Sequence, residues 1–147
     1  MKTVILRKAC ETDINLTFEI KKAALKDCIV TTFGPWDENW QSSEHRKDFS
    51  SGELEVIEVD GIDVGYVWIK RTGSSLHLVD ICILPKYQGS GIGSGIVEKL
   101  LSEARTQHIP VELGVFKSNR SALKLYTRLG FKQTSETPTH ILMKFTV

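Results

Sequence analysis

The sequence predicts a mixed α+β domain built on one central, mostly antiparallel twisted sheet with about four flanking helices. Three observations carry that expectation. Strand-type segments follow one another in the first half and are joined by an Asp60-Gly61 hairpin turn. A glycine-rich turn and an amphipathic helix then separate two apolar strands, the pattern of a β-α-β crossover. The 147 residues are 41% hydrophobic and 25% charged, an ordinary balance for one globular domain spanning 1–147. A chain of this length buries roughly 68–70% of its unfolded surface, so its core needs neither disulfides nor metal.

The elements follow in order. Residues 3–7 are short and rich in β-branched side chains, and read as a first strand. Thr12-Asp13 offers a helix N-cap. From Ile14, the residues Phe18, Leu25, Cys28 and Ile29 recur at roughly helical spacing until Gly34-Pro35 stops the helix. Pro35 suits the first position of a second helix, with Asp37 and Glu38 in its opening turn, running to about Phe49. Residues 53–59 and 64–70 form the hairpin, and 76–84 a long apolar strand ended by Pro85. Ile92, Ile96, Val97, Leu100, Leu101 and Ala104 make one apolar helical stripe. Residues 110–116 form a further strand. Ser118-Asn119 caps a helix carrying Ala122, Tyr126 and Leu129, which Gly130 closes. Residues 131–134 and 140–146 supply the last two strands.

The composition excludes several classes. Nineteen basic against eighteen acidic residues give +1, too little surplus for a general nucleic-acid binder. The odd cysteines Cys10, Cys28 and Cys82 are far apart and form no C-x-x-C pair, so no zinc site or disulfide framework is expected. The apolar run near the N-terminus is too short for a signal-peptide core, and no stretch suits a membrane span. A soluble, cytoplasmic protein is the expectation, with no metal, nucleic acid or membrane partner.

The most informative segment is the turn from Pro85 through Gly95. Gly89, Gly91, Gly93 and Gly95 alternate with other residues at a strand-to-helix junction. Glycine at a helix start costs about 1 kcal/mol relative to alanine, which is easiest to explain if something approaches the backbone closely. The N–H groups of a helix N-terminus, helped by its dipole, bind anions. A flexible turn needing only positive φ would explain fewer glycines. No Gly-Lys pair is present, so this is not a P-loop, and the spacing and position do not suit a dinucleotide-binding fingerprint.

Gln88-Gly89-Ser90-Gly91-Ile92-Gly93 resembles the Q/R-x-x-G-x-G/A acyl-CoA motif of the GNAT superfamily of N-acetyltransferases. The run from Asn119 to Phe131 resembles that family's N-x-x-A-x-x-x-Y-x-x-x-G-F signature, with Asn119, Ala122, Tyr126, Gly130 and Phe131 at the matching positions. The resemblance spans the chain and is specific from Val79 to Phe131. It implies acetyl-CoA as donor, with the diphosphate on the main-chain N–H groups of Gln88, Gly89, Ser90, Gly91, Ile92, Gly93 and Ser94. It also implies that the pantetheine arm pairs with Ile81, Cys82 and Ile83 where the sheet splays, that the Ile83 N–H polarises the acetyl carbonyl, and that Asn119 contacts the cofactor. Lys86, Lys117, Arg120 and Lys124 could meet nucleotide phosphates, although each also suits a solvated surface.

The chemistry has definite needs. An alkyl amine of pKa ~10.4 is neutral in only about one part in a thousand at pH 7.4, a deficit of about 4 kcal/mol. A base is therefore useful, and the departing thiolate needs a proton. The resemblance puts Tyr126 beside the sulfur as general acid, although its place on an apolar stripe also suits a core aromatic. Asp80 is a lone carboxylate in an apolar strand and a candidate base; it would equally suit a half-exposed face. His77 is a second candidate with a suitable intrinsic pKa, on the opposite face of a regular strand. Glu112 is a third, and ordered water could replace all three. A covalent route through Cys82 lacks a recognisable histidine partner.

The resemblance places the acceptor against the first two helices and the hairpin, a region that carries Phe33, Trp36, Trp40, Tyr66 and Trp68 together with Asp37 and Glu38. On a helix Trp36 and Trp40 would share a face, making either an aromatic, acidic mouth for a cationic amine or simple packing against the sheet. The expected reaction is direct attack by a primary amine of a small molecule or protein on acetyl-CoA, in a ternary complex. The alternative is a non-catalytic acyl-CoA sensor or interaction module on the same fold. A homodimer is compatible with the resemblance.

Overall fold

The structure, a computed structural model, describes residues 2–147. Its elements are β1 (Val4–Lys8), α1 (Ile14–Phe33), α2 (Glu38–Phe49), β2 (Leu54–Val59), β3 (Ile62–Arg71), β4 (Leu76–Ile83), α3 (Ile92–Gln107), β5 (Val111–Phe116), α4 (Arg120–Arg128), β6 (Lys132–Glu136) and β7 (His140–Phe145), with short 3-10 turns at Glu11–Asp13 and Pro85–Tyr87. The strands follow the order β1-β2-β3-β4-β5-β7-β6 in one sheet. The pairs β1/β2, β2/β3, β5/β7 and β6/β7 are antiparallel and β4/β5 is parallel. This is the mixed α+β architecture with a β-α-β crossover that the sequence predicts. Two compact units divide the chain, one running up to Trp68 and including Asp80–Ser90, the other made of Ile69–Val79 and Gly91–Val147.

In the first unit, Asp60 and Gly61 both take positive φ, as the tight β2–β3 turn requires. A register shift between Ile57 and Glu58 interrupts the β2/β3 ladder. The extra residue at that point is Val64 on β3, while Val56, Ile57 and Val59 of β2 are all buried. The second helix begins at Glu38 rather than Pro35, because Asp37 is its N-cap and accepts the Trp40 N–H at 3.0 Å. Consequently Trp36 precedes the helix, and Trp36 and Trp40 do not share a helical face. Helix α1 buries Thr17, Phe18, Ile20 and Ile29. The Phe18 ring meets His45 of α2 at 5.7 Å, and His45 meets Tyr66 of β3 at 6.0 Å, so aromatic contacts tie both helices to the sheet. Arg7 on β1 gathers Asp13, Glu58 and Asp63 at 2.7, 2.9 and 3.2 Å. Its guanidinium holds the Asp13 carboxyl well below the usual carboxylate range.

In the second unit, α3 buries the predicted stripe of Ile92, Ile96, Val97, Leu100, Leu101 and Ala104. Each of the isoleucine, valine and leucine side chains among them contributes about 1.5–3 kcal/mol when fully buried. Val111, Leu113 and Val115 are its counterparts on β5. Tyr126, Phe131 and Phe145 continue the core as ring pairs at 5.5 and 5.8 Å. Arg71 at the end of β3 makes a two-pronged bond to Glu103 of α3, at 2.8 and 3.0 Å.

Candidate active site

The glycine turn is built by the chain that leaves β4. Pro85 starts a 3-10 turn in which the Gln88 N–H donates to the Pro85 carbonyl at 3.2 Å. The Gln88 carboxamide donates back to the Ile83 carbonyl at 2.7 Å, and the Ser90 hydroxyl to the Tyr87 carbonyl at 2.8 Å. These bonds tie the turn to the end of β4. Gly89 and Gly91 then take φ of +74° and +86°. Gly91 is the N-cap of α3 and sits in the left-handed region, with no side-chain cap bond. The N–H groups of Ile92, Gly93 and Ser94 lie in the first helical turn, where α-helix geometry supplies no acceptor. A Cβ built at Gly89, Gly91 or Gly95 would meet nothing within 4 Å. The result is an open cradle of main-chain donors at the positive end of a 16-residue helix, suited to a diphosphate. Gln88 itself contributes through its side chain to the shape of the turn, since its own N–H is already used.

Ile81, Cys82 and Ile83 occupy the end of β4 that belongs to the first unit. In the second unit, Leu76, His77 and Leu78 are registered with Val111, Glu112 and Leu113. His77 is exposed, with Glu112 as its register partner. Lys144 lies 3.8 Å from Glu112.

Asp80 lies in a polar cluster of the first unit. The Tyr66 hydroxyl donates to its Oδ2 at 3.4 Å. Lys21 of α1 pairs with Asp48 of α2 at 3.7 Å. The Asp80 residue keeps some exposed surface, yet burial of its carboxyl raises the pKa to about 6; the Asp48 charge adds to the rise, while Lys21 and the Tyr66 bond oppose it. Burial pushes the Tyr66 phenol and the Cys82 thiol well above their ordinary values. Tyr66 therefore stays a donor, and Cys82 stays a thiol and a poor nucleophile.

His45 is 1% exposed, and its Nε2 lies 2.7 Å from the Thr17 hydroxyl. That hydroxyl also bonds the Asp13 and Ile14 carbonyls at 3.0 and 3.1 Å. Spending its single hydrogen there makes Thr17 the acceptor from Nε2–H and leaves Nδ1 as the unprotonated nitrogen. His45 Nδ1 is buried without a partner among the described residues. Burial, helped by Lys21, lowers the pKa of this imidazole to about 4.

The aromatic acceptor candidates are spread over different environments. Phe33 ends α1 and is 64% exposed, and Trp40 on α2 is 57% exposed. Trp36 is half-buried against Phe18 at 6.3 Å, and its Nε1–H donates to Glu38 at 2.6 Å. Trp68 is buried and donates to Glu53 at 3.0 Å. In the second unit, Asn119 caps α4 and accepts the Ala122 N–H at 3.3 Å. Tyr126 is 6% exposed, with its ring set edge-on to Phe131. Lys117 is paired with Glu136 at 2.7 Å. Among the described residues no group of three or more His, Cys, Asp or Glu side chains could hold a metal ion, and no helix is long and apolar enough to cross a membrane.

Sequence reasoning passed over His45 entirely and placed Tyr66 only near the acceptor. A signal for His45 existed: Gln41, His45 and Phe49 repeat every fourth residue, and the first two are buried on an otherwise polar helix.

The profile of the acetyltransferase (GNAT) family matches residues 22–131. An N-alpha-acetyltransferase of Sulfurisphaera tokodaii is 29% identical over 142 residues, covering 87% of this chain and 80% of that protein. Thialysine N-epsilon-acetyltransferase of Mus musculus is 30% identical over 96 residues, covering 64% of this chain, which spans 56% of the mouse protein's length. Among solved structures, the PaiA N-acetyltransferase of Thermoplasma acidophilum in complex with coenzyme A superposes with a TM-score of 0.78 at 17% identity, over 99% of both chains.

Proposed function

Because the chain belongs to the GNAT acetyltransferase family, whose members transfer acetyl groups from acetyl-CoA, we propose that its reaction is N-acetylation of a primary amine by direct attack, with Asp80 as base and Tyr126 as acid. The observation that carries the donor side is the uncapped start of α3 on a left-handed Gly91, with open space beside Gly89, Gly91 and Gly95. Bound acetyl-CoA supplies an activated acetyl group as a thioester. The N–H groups of Gly89 through Ser94 hold the diphosphate, and the main chain of Ile81, Cys82 and Ile83 orients the pantetheine arm. Asn119 fixes the start of α4 as a further cofactor contact.

The Asp80 carboxylate takes one proton from the acceptor ammonium. The freed nitrogen forms a bond to the acetyl carbon as the carbon–sulfur bond breaks. Tyr126 donates its hydroxyl proton to the departing sulfur and regains one from the nitrogen, so the products are an amide, a thiol and one proton on Asp80. A carboxyl titrating near 6 is ionised at neutral pH yet basic enough to accept. His77, exposed beside Glu112, is the weaker base candidate.

The acceptor is a cationic amine of a small molecule or a protein terminus. The names of the two relatives point to α-amino and ε-type amines, and the exposed aromatic faces of Phe33 and Trp40 suit such a cation. The setting of the reaction is the cytoplasm, where acetyl-CoA is available. The test is thiol release from acetyl-CoA across a panel of amino acids, polyamines and peptides, together with calorimetric titration by coenzyme A. Binding with amine-dependent thiol release is expected. Binding without release for any amine leaves the non-catalytic sensor, and no binding overturns both readings.

A further inference from the structure

We infer that Tyr66 is a positioning residue for Asp80, holding the carboxyl in one orientation through its hydroxyl; this rests on the reading of Asp80 as the base. The placement begins with Gly65. A Cβ there would collide with the Cys82 carbonyl and press on the Ile83 Cα at 3.2 Å, so only glycine lets β3 lie this close to the end of β4. The Leu84 N–H bonds the Val64 carbonyl at 2.9 Å and fixes the register beside it. That register puts Tyr66, 1% exposed, against Asp80, with its hydroxyl 3.4 Å from Oδ2.

The ring cannot swing away. The His45 imidazole meets it edge-on at 6.0 Å, and His45 is itself anchored to Thr17 and packed against Phe18 and Phe49. The groups that face Asp80 are Lys21 from α1, Asp48 from α2, Tyr66 from β3 and Cys82 on its own strand. Of these, Tyr66 alone donates a hydrogen bond to the carboxyl among the described residues. A hydrogen bond to the ionised form keeps the carboxylate available at lower pH, and the phenol's own high pKa preserves the donor throughout. Without that bond the same burial leaves the acid harder to ionise and free to rotate. At 3.4 Å the bond is long, so its effect is modest.

The test is the pH profile of kcat/KM for wild type, Tyr66→Phe and Asp80→Asn, with one acceptor amine. If Asp80 takes the ammonium proton, the wild-type profile rises as a single limb with its midpoint near 6, the value burial gives that carboxyl. Tyr66→Phe keeps the ring and its contact with His45. It is expected to move that midpoint up by about half to one unit, lowering kcat/KM about 3- to 10-fold on the limb with little change on the plateau. Asp80→Asn is expected to shift the limb to the acceptor's own pKa. A parallel carbon-13 titration of the Asp80 carboxyl, without substrate, reads the same upward shift independently of turnover. An unmoved Asp80 titration in Tyr66→Phe overturns the inference about Tyr66. An unmoved limb in Asp80→Asn overturns the base assignment instead, and leaves the carboxyl titration to decide the positioning role by itself.

Discussion

Removing one oxygen separates packing from chemistry at Tyr126. The ring is 6% exposed and set edge-on to Phe131, and Tyr126→Phe keeps that contact. If the phenol protonates the leaving thiolate, kcat falls about 10²-fold, within the range for a positioned general acid. Stability moves by about 1 kcal/mol, the ordinary worth of one hydrogen bond. A stopped assay of thiol release beside a thermal melt checks both; unchanged kcat with a lowered melting point would leave Tyr126 a core residue. Tyr126 could be singled out as a candidate because it stands inside a motif of fixed spacing. Tyr66 and His45 were not. Tyr66 is fourteen residues from Asp80 in sequence, and their contact depends on the hairpin register and on Gly65. His45 lies on a helix of mostly polar residues, and its burial comes from α1 and β3 packing over it. Long-range placement of this kind leaves little mark on a local pattern.

At the scale of the element, the α3 start is the most exacting piece. Gly91 sits at φ +86°, with space where a side chain would go. Gly91→Ala therefore brings conformational strain rather than a clash, costing about 1–2 kcal/mol. The methyl group would also stand beside the open donors, so coenzyme A affinity falls about 10-fold or more, on the reading that the diphosphate rests there. Urea unfolding and calorimetry measure the two effects separately. A stability loss with unchanged affinity would move the diphosphate away from this turn. Other elements were readable to different degrees. The helix stripe of α3 and the Asp60-Gly61 turn are local signals, and both stand as expected. The β3 bulge at Val64 was hidden because register arises from pairing between strands. The start of α2 turned on whether Pro35 or Asp37 opened the helix, and the Asp37 side chain decided it by accepting the Trp40 N–H.

Over the molecule as a whole, His45 and Asp80 give stability opposite dependences on pH. Burial lowers His45 from 6.5 to about 4 and raises Asp80 from 3.8 to about 6. For His45 the folded pKa is depressed, so its contribution is complete above the unfolded value near 6.5 and is lost as pH falls toward 4. For Asp80 the folded pKa is raised, so its contribution is complete below 3.8 and is lost as pH rises through about 6. Between about pH 4 and 6 the unfolded chain carries a proton on the imidazole and none on the carboxyl. The folded chain carries one on the carboxyl and none on the imidazole. The proton counts match, and the pair gives stability no slope in that window. Each partner alone does give one. In His45→Gln, stability should fall by up to about 3 kcal/mol from pH 4 to 6, because only Asp80 remains linked. In Asp80→Asn it should rise by a similar amount over the same interval. Groups that titrate alongside, such as His140, also lowered by burial, act equally in all three proteins and cancel in the differences. Urea midpoints read every half unit from pH 4 to 6.5 give the three slopes. Parallel curves for wild type and both variants would mean that neither group has the buried environment described, and the Asp80 carboxyl would then be too acidic to serve as a base poised near neutrality.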